Sequence, residues 1–281
     1  MPELGVYSPE ELAYLESLQP LTRDYQPSDE VLAHLGAVSL VIVDGVTSAG
    51  KGTHLDKLFQ HNDELGVGAL HRVMSFTTRP PRPSEIIGPD QYEAHLDVRW
   101  PWVRDFLTTG LRERRFVQAI SHPSGDIYGS RAHAYLPRPA TSVAEFTAAE
   151  CERLVEEGVF PEARAICIVP YAGPSWLQRW VERDAPNGGE PKDFGKRLVE
   201  SHGSLETGLH STAHETVFVT NAYGEDPGIP PAFESMAAVL RGDYDPNLAA
   251  ASQDRAEKMF TYISKVMAGE IELPWQLVPS S

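Results

Sequence analysis

Val38-Ser39-Leu40-Val41-Ile42-Val43 is a β-branched apolar run, closed by Asp44-Gly45 and followed by Val46-Thr47-Ser48-Ala49-Gly50-Lys51-Gly52-Thr53. No other stretch narrows the fold so far. A short continuous apolar run reads as a buried strand of a parallel sheet. The segment after it has the spacing G-x-x-x-x-G-K-G-T, with a helix expected over 51–60. Small residues let successive backbone N–H groups converge on phosphate oxygens, and the helix behind them adds the positive end of its dipole. Lys51 supplies a mobile charge for the β and γ phosphates. Gly45, Ser48, Ala49, Gly50, Lys51, Gly52 and Thr53 are therefore the candidate ligands of a nucleoside triphosphate. Gly52 follows the lysine directly, so the hydroxyl that ordinarily meets Mg2+ moves one residue on, to Thr53, the candidate metal residue.

Further strand-like runs lie at 165–169, bounded by Pro170, and at 216–220, bounded by Asn221, with a weaker one at 142–146. Helical stretches are expected over 147–157, 174–184 and 192–206. Strands alternating with helices predict an α/β fold with a parallel sheet. Ahead of it, residues 1–37 read as a helical extension, because Ser8-Pro9-Glu10-Glu11 combines an N-cap, a first-turn proline and first-turn acids. A second short helix is expected from Ser28. The stretch 70–130, rich in Pro, Gly and aromatic residues, reads as an inserted lobe that Trp100, Trp102 and Phe106 are expected to pack. Trp176 and Trp180 are expected to dock their helix on the core. Residues 226–281 form a helical C-terminal extension, with helices expected at 231–241 and 252–267. The second would carry Met259, Phe260, Ile263, Val266 and Met267 on one face. Three uses are open to this extension: capping the core, forming a homodimer, or walling the acceptor pocket.

Of 281 residues, 41% are apolar, enough for a real core; 24 Lys and Arg against 40 Asp and Glu leave a net charge of −16. That charge opposes binding of a polyanion such as duplex DNA unless a local basic face overrides it. Small anions held by clustered Arg and Lys remain. No run of about 18 apolar residues is present, so no membrane span is expected. The opening MPELGVYSPEEL has neither part of a signal peptide, and two cysteines, Cys151 and Cys167, are too few for a disulfide framework. Reduced thiols and a cytoplasmic setting are the expectation.

The clustered cations begin at Ser75-Phe76-Thr77-Thr78-Arg79-Pro80-Pro81-Arg82. Two arginines three apart on a proline-stiffened segment, flanked by hydroxyls, make an anion clamp that the Tyr92 hydroxyl could complete. Residues 75–92 resemble the S-x-T-T-R-x-P-R-x-G-E-x-x-G-x-D-Y signature of the guanylate kinase family. In that family the Ser, both Arg and the Tyr hold the acceptor's phosphate, roles that fall on Ser75, Arg79, Arg82 and Tyr92. Gln91 is an extra residue, and Ser84 stands where the family has Gly. Arg115-Phe116-Val117-Gln118 and Gly125-Asp126-Ile127-Tyr128-Gly129-Ser130 resemble the family's EF-x-E … YG[ST] hairpin, with Tyr128 and Ser130 matching. Residues 177–183 and 196–198 resemble its lid, placing Arg179, Arg183 and Arg197 on the arginines that close over the transferring phosphate.

The resemblance covers roughly 38–225, with an acceptor-binding lobe at 70–130 and a lid at 176–200. It implies a three-layer P-loop kinase fold with a central parallel sheet, an inserted nucleoside-monophosphate lobe and a lid. It implies ATP and Mg2+ as cofactors and nucleotides as substrates. Lys51, Arg79, Arg179, Arg183 and Arg197 would be the catalytic cations. Phosphoryl transfer asks a protein mainly for in-line positioning and positive charge around the equatorial oxygens.

The pattern breaks where the family reads guanine. Gln118 stands in place of the Glu of EF-x-E, and Glu145 and Thr147 in place of two strand Asp. A carboxylate only accepts hydrogen bonds, matching guanine N1–H and N2–H, whereas a Gln amide both donates and accepts. It suits an edge with one of each, as on adenine, thymine, uracil, or the O6/N1 edge of guanine. Each mispaired buried group costs about 1–3 kcal/mol, enough to redirect base preference. The expected acceptor is not simply GMP. Glu145 could also orient a Mg2+ water, or merely start a helix near Thr147. Other readings stay open: a different acceptor (a modified nucleotide, a base hydroxyl in DNA, a sugar phosphate), or a binding module without catalysis. Retention of Lys51 and the lid arginines speaks against the last. His95, His122, His202, His210 and His214 show no metal-ligand spacing.

Overall fold

A computed structural model describes residues 7–35, 37–81, 92–122, 125–185, 189–191 and 193–276. In chain order the elements are α1 (Pro9–Thr22), α2 (Asp29–Leu35), β1 (Ser39–Gly45), α3 (Lys51–Gln60), α4 (Asn62–Leu65), β2 (Leu70–Arg72), β3 (Ser75–Thr77), β4 (Tyr92–His95), α5 (Pro101–Arg112), β5 (Gln118–Ser121), β6 (Ile127–Ser130), β7 (Thr141–Ala144), α6 (Ala148–Glu156), β8 (Arg164–Pro170), α7 (Gly173–Asp184), α8 (Phe194–His210), β9 (Thr216–Asn221), α9 (Ala232–Arg241) and α10 (Pro246–Met267). Two compact units result, one from 39–70 and 143–281, the other from 1–38 and 71–142.

In the first unit β1 takes the centre of a five-stranded sheet of order β2-β7-β1-β8-β9. Its apolar run is why: Leu40 to Gly45 are all buried, a pattern that only a strand covered on both faces can satisfy. β8 runs parallel beside β1, with Val43 opposite Ile166, and β9 parallel beside β8, with Cys167 opposite Phe218. Parallel neighbours need crossovers, and the flanking helices supply them. Val41, Val43, Ile166, Ile168 and Val219 meet Trp176 and Trp180 in one apolar core, so both tryptophans dock α7 as expected.

Met236 and Ala237 of α9 and Met259, Ile263 and Val266 of α10 join the same core, so the C-terminal helices cap it. α10 starts earlier than the expected 252: Asp245 accepts from the Asn247 N–H at 2.7 Å, and Pro246 fills the first helical position. Its buried stripe is Ser252, Ala256, Met259, Ile263 and Val266. Met267, expected on that stripe and one turn beyond Ile263, is 45% exposed, because it is the last residue of α10. Cys151 and Cys167 are buried and unbridged. Among the described residues, no helix is long and apolar enough to cross a membrane.

The second unit is built on a mixed sheet of order β4-β3-β6-β5. β5 and β6 form an antiparallel hairpin, β6 runs antiparallel to β3, and β3 runs parallel to β4. Its core joins Phe76, Phe116, Ala119 and Ile127 to Val103, Leu107 and Leu111 of α5 and to Leu15 and Leu18 of α1. α1 begins with a reciprocal cap, Ser8 Oγ accepting from the Glu11 N–H while Glu11 Oε2 accepts from the Ser8 N–H at 2.6 Å. Trp100 and Trp102 do not pack this core. They are 58% and 62% exposed: Trp100 is the N-cap, in extended backbone ahead of α5, and Trp102 points away from the stripe of Val103, Leu107 and Leu111. Phe106 does pack, edge-on to Phe76 at 5.8 Å.

Candidate active site

β1 ends at the carboxyl edge of its sheet, the side on which open α/β sheets hold ligands. The chain turns there through Gly45, where a Cβ would stand 2.3 Å from the Ile168 carbonyl oxygen, so only glycine fits. Ser48 and Gly50 adopt left-handed backbone, with φ of 63° and 86°. Gly50 caps α3 with no side-chain hydrogen bond, so the first-turn N–H groups have no capping acceptor of their own.

Three successive carbonyls of this loop are held from outside it. Trp176 Nε1 donates to the Thr47 carbonyl at 2.6 Å, the Tyr223 hydroxyl to that of Ser48 at 2.7 Å, and Asn221 Nδ2 to that of Ala49 at 2.9 Å. Across a trans peptide the C=O and N–H point opposite ways. Fixing the carbonyls of 47 and 49 therefore aims the N–H of Ser48 and Gly50 to the other side. The Thr47 N–H is itself bound by Ser201 Oγ at 2.9 Å. Lys51 folds its ammonium back onto the loop, 2.7 Å from the Gly45 carbonyl and 3.4 Å from that of Val46. Asp44 is buried beneath. Burial raises its carboxyl pKa, opposed by the Lys51 charge and by hydrogen bonds that include Ala148 N–H at 2.6 Å and Ser204 Oγ at 3.3 Å. It ties the loop's base to α6 and α8. Thr53 is exposed on the first turn of α3.

The lid arginines follow from the phase of α7. Trp176, Leu177 and Trp180 face the core, which leaves Arg179 and Arg183 outward. Arg179 lies over the Tyr223 ring at 4.4 Å and pairs with Glu225 at 3.0 Å. Tyr223 thus links this arginine to the loop carbonyl of Ser48. Arg183 and Arg197 share one carboxylate, Asp184, at 2.6 and 3.1 Å, and Trp180 Nε1 donates to it as well. Burial pushes the Asp184 carboxyl up, but these donors and charges outweigh it and hold the group below the usual aspartate range.

Most residues expected to bind an acceptor belong to the second unit. Gln118 lies directly opposite Ser130, Ile120 opposite Tyr128, and Tyr128 opposite Thr77. Opposed residues share a face and alternate residues return to it. One face of the sheet therefore carries Thr77, Gln118, Ile120, Tyr128 and Ser130, while the other sends Phe76, Ala119 and Ile127 into the core. Gln118 is fully buried, and neither its amide oxygen nor its amide nitrogen has a partner. Ser130 Oγ meets the Tyr135 hydroxyl at 2.7 Å. Arg79 leaves the end of β3 with its N–H on Thr77 Oγ1 at 3.1 Å and its carbonyl on His95 Nδ1 at 2.8 Å. Tyr92 opens β4 beside Ser75, and its side chain and all of Arg82 lie outside the described residues. Glu145 and Thr147 belong to the first unit. Glu145 is exposed past β7, and Thr147 caps α6, its Oγ1 accepting from Glu150 N–H at 3.2 Å.

Sequence reasoning missed Tyr223, Asn221 and Asp184 as parts of this arrangement. Asn221 carried a usable signal, since it closes a strand at the same sheet edge as the loop. Tyr223 carried none.

No protein-family model matches the chain. It is 30% identical to a guanylate kinase of Cutibacterium acnes over 182 residues, 62% of this chain and 80% of that one. It is 24% identical over 189 residues to a guanylate kinase of Corynebacterium diphtheriae, covering 63% and 85% of the two chains. Among solved structures, the guanylate kinase from Anaplasma phagocytophilum superposes over 80% of this chain and 95% of that chain, with 18% identity and a TM-score of 0.42. The assignment rests on the sequence relatives, and on them the chain belongs to the guanylate kinase family.

Proposed function

We propose that this protein transfers the γ-phosphoryl group of ATP to a nucleoside monophosphate and disfavours GMP, because Gln118 cannot accept from guanine N1–H and N2–H together as a carboxylate does. The observation that carries the transfer reading is the pinned loop, with N–H groups of Ser48 and Gly50 aimed away from carbonyls that Trp176 and Asn221 hold. The loop fits a triphosphate. There is no room for a Cβ at Gly45, and the Lys51 ammonium rests on the Gly45 and Val46 carbonyls, which phosphate oxygens can replace. Among the described residues no group of three His, Cys, Asp or Glu could hold a metal ion. Mg2+ usually binds through substrate phosphates and one or two protein oxygens, and the exposed Thr53 hydroxyl is the candidate. When bound, ATP supplies the phosphoryl group and Mg2+ offsets its charge.

The chain's own residues do the rest. Arg179, Arg183 and Arg197 rest on Glu225 and Asp184 in partly exposed pairs. Such pairs contribute only about 0–1 kcal/mol, so a polyphosphate can take the guanidiniums over at little cost. Arg79 would clamp the acceptor's phosphate, and Gln118 would read its base. Two orphaned amide atoms, each costing about 1–3 kcal/mol when unpaired, favour a base that satisfies both.

The test is labelled ATP with Mg2+ against every ribo- and deoxynucleoside monophosphate, plus sugar phosphates and DNA with ordinary and hydroxymethylated bases. The expected result is transfer to at least one free monophosphate other than GMP, lowered about 10²–10³-fold or more by Lys51→Ala. Transfer confined to GMP contradicts the altered specificity. Transfer confined to DNA or a sugar phosphate points to the different-acceptor reading, and tight nucleotide binding without transfer to a module that has lost catalysis.

A further inference from the structure

The extension ahead of β1 lies outside the 38–225 stretch of family resemblance, yet its side chains bond directly to the backbone that carries the acceptor residues. The Tyr7 hydroxyl bonds the Thr78 carbonyl and stands 3.0 Å from Asp126 Oδ1. Thr22 Oγ1 meets Ser121 Oγ of β5 at 2.8 Å. The Tyr25 hydroxyl donates to the Phe116 carbonyl at 3.1 Å and accepts from the Phe116 N–H at 2.9 Å, two residues before Gln118. Three hydroxyls thus grip the segment leading to the clamp arginine and both ends of the base-reading strand.

Tyr7 holds the most consequential of these points. Thr78 C=O and Arg79 N–H belong to one peptide plane. Tyr7 takes its carbonyl, and Thr77 Oγ1 takes its N–H at 3.1 Å. The next carbonyl, that of Arg79, is bound by His95 Nδ1 at 2.8 Å. Thr78 is fastened to the hairpin in both directions: its N–H donates to the Ile127 carbonyl at 2.9 Å, and its Oγ1 accepts from Ile127 N–H at 2.9 Å. Asp126, the second partner of Tyr7, directly precedes Ile127. The phenol therefore sits between the two chain segments from which Arg79 and Tyr128 project, its single proton shared between the Thr78 carbonyl and Asp126 Oδ1. Burial, with the Asp126 carboxylate, raises the phenol's pKa, so Tyr7 keeps the proton it donates at any working pH.

We infer that the N-terminal extension is part of the acceptor-binding lobe and that Tyr7 is a positioning residue for Arg79, fixing the peptide from which the phosphate clamp springs. The inference rests on the acceptor reading above. It follows from the steepness of orientation effects: a guanidinium fork recognises phosphate oxygens only in a narrow geometry, and a misplacement of about 1 Å can cost about 10²-fold. A hydroxyl that fixes the arginine's own peptide controls that placement. A hydroxyl elsewhere on α1 does not. Tyr14 supplies the comparison, since its hydroxyl bonds the Arg104 carbonyl at 2.8 Å and Thr108 Oγ1 at 3.1 Å on α5.

The experiment measures dissociation constants of wild type, Tyr7→Phe and Tyr14→Phe in the full chain by calorimetry, for ATP and for each nucleoside monophosphate. KM for both substrates and the melting temperature accompany them. Tyr7→Phe is expected to weaken monophosphate binding about 10-fold and leave ATP binding within about twofold, while Tyr14→Phe leaves both ligands unchanged. Monophosphate binding equal in Tyr7→Phe and wild type overturns the inference alone, and so does an equal loss in the two variants, which reduces Tyr7 to general stability. A wild-type chain that binds no monophosphate refutes the acceptor reading itself, and this inference with it.

Discussion

At the scale of single residues, the phosphate loop is organised by donors that lie far away in the chain. Tyr223 is the most informative of them, because its hydroxyl holds the Ser48 carbonyl while its ring lies under Arg179. Burial pushes its phenol pKa up to about 12, helped by Glu225 and opposed by Arg179 and Arg183. The group stays protonated, and its hydrogen bond intact, well above the usual tyrosine range. Tyr223→Phe is expected to raise KM for ATP several-fold and leave the acceptor KM unchanged, as steady-state kinetics would show. The same group predicts no loss of ATP affinity as the pH of the wild type is raised through 10, the ordinary tyrosine value. Loss of affinity there would mean that the phenol is accessible and the Ser48 bond is not maintained. The glycines and Lys51 were legible as a motif because spacing alone defines them. Their supports were not, since Trp176 and Tyr223 meet the loop across 129 and 175 residues.

At the scale of elements, continuous apolar runs identified β1, β8 and β9, because strands buried on both faces need nothing but apolar side chains. β7 was weaker to read for the opposite reason, with Thr141 and Ser142 in a four-residue strand. Helical phase was harder than helix existence. Trp100, Trp102 and Met267 are large and apolar, yet Trp100 and Met267 stand at helix ends and Trp102 lies off the buried stripe. Residue type suggested core where position at a helix end, or on its outer face, leaves the side chain in solvent. The start of α10 shows a signal overlooked: Asp245-Pro246 is a capping residue followed by a first-turn proline. Asp245→Ala removes the acceptor for Asn247 N–H and is expected to cost about 1 kcal/mol. Chemical denaturation would show this as a lower midpoint with unchanged slope. An unchanged midpoint would mean that core packing of Met259, Ile263 and Val266 alone sets the helix's stability.

At the scale of the whole molecule, a chain of net charge −16 gathers its candidate phosphate ligands in two units. Lys51 and the three lid arginines belong to one, Arg79 and Gln118 to the other. The first set was legible from the strand–loop–helix motif and the second from the arginine clamp and hairpin. The involvement of residues 7–25 was not legible, because hydrogen bonds such as Tyr7 to Asp126 leave no periodic trace in sequence. Gln118 stands at the centre of the account. It is buried on the sheet of the second unit with both amide atoms unpaired, at the position where the family signature has a carboxylate. The most direct test is the ratio of kcat/KM for GMP to that for the best other nucleoside monophosphate, measured in wild type and in Gln118→Glu. The account predicts a ratio below one in wild type and a rise of about tenfold or more in the variant, the effect of one buried mismatch repaired. A wild type that prefers GMP over every other monophosphate, with a ratio that Gln118→Glu leaves unchanged, would contradict it.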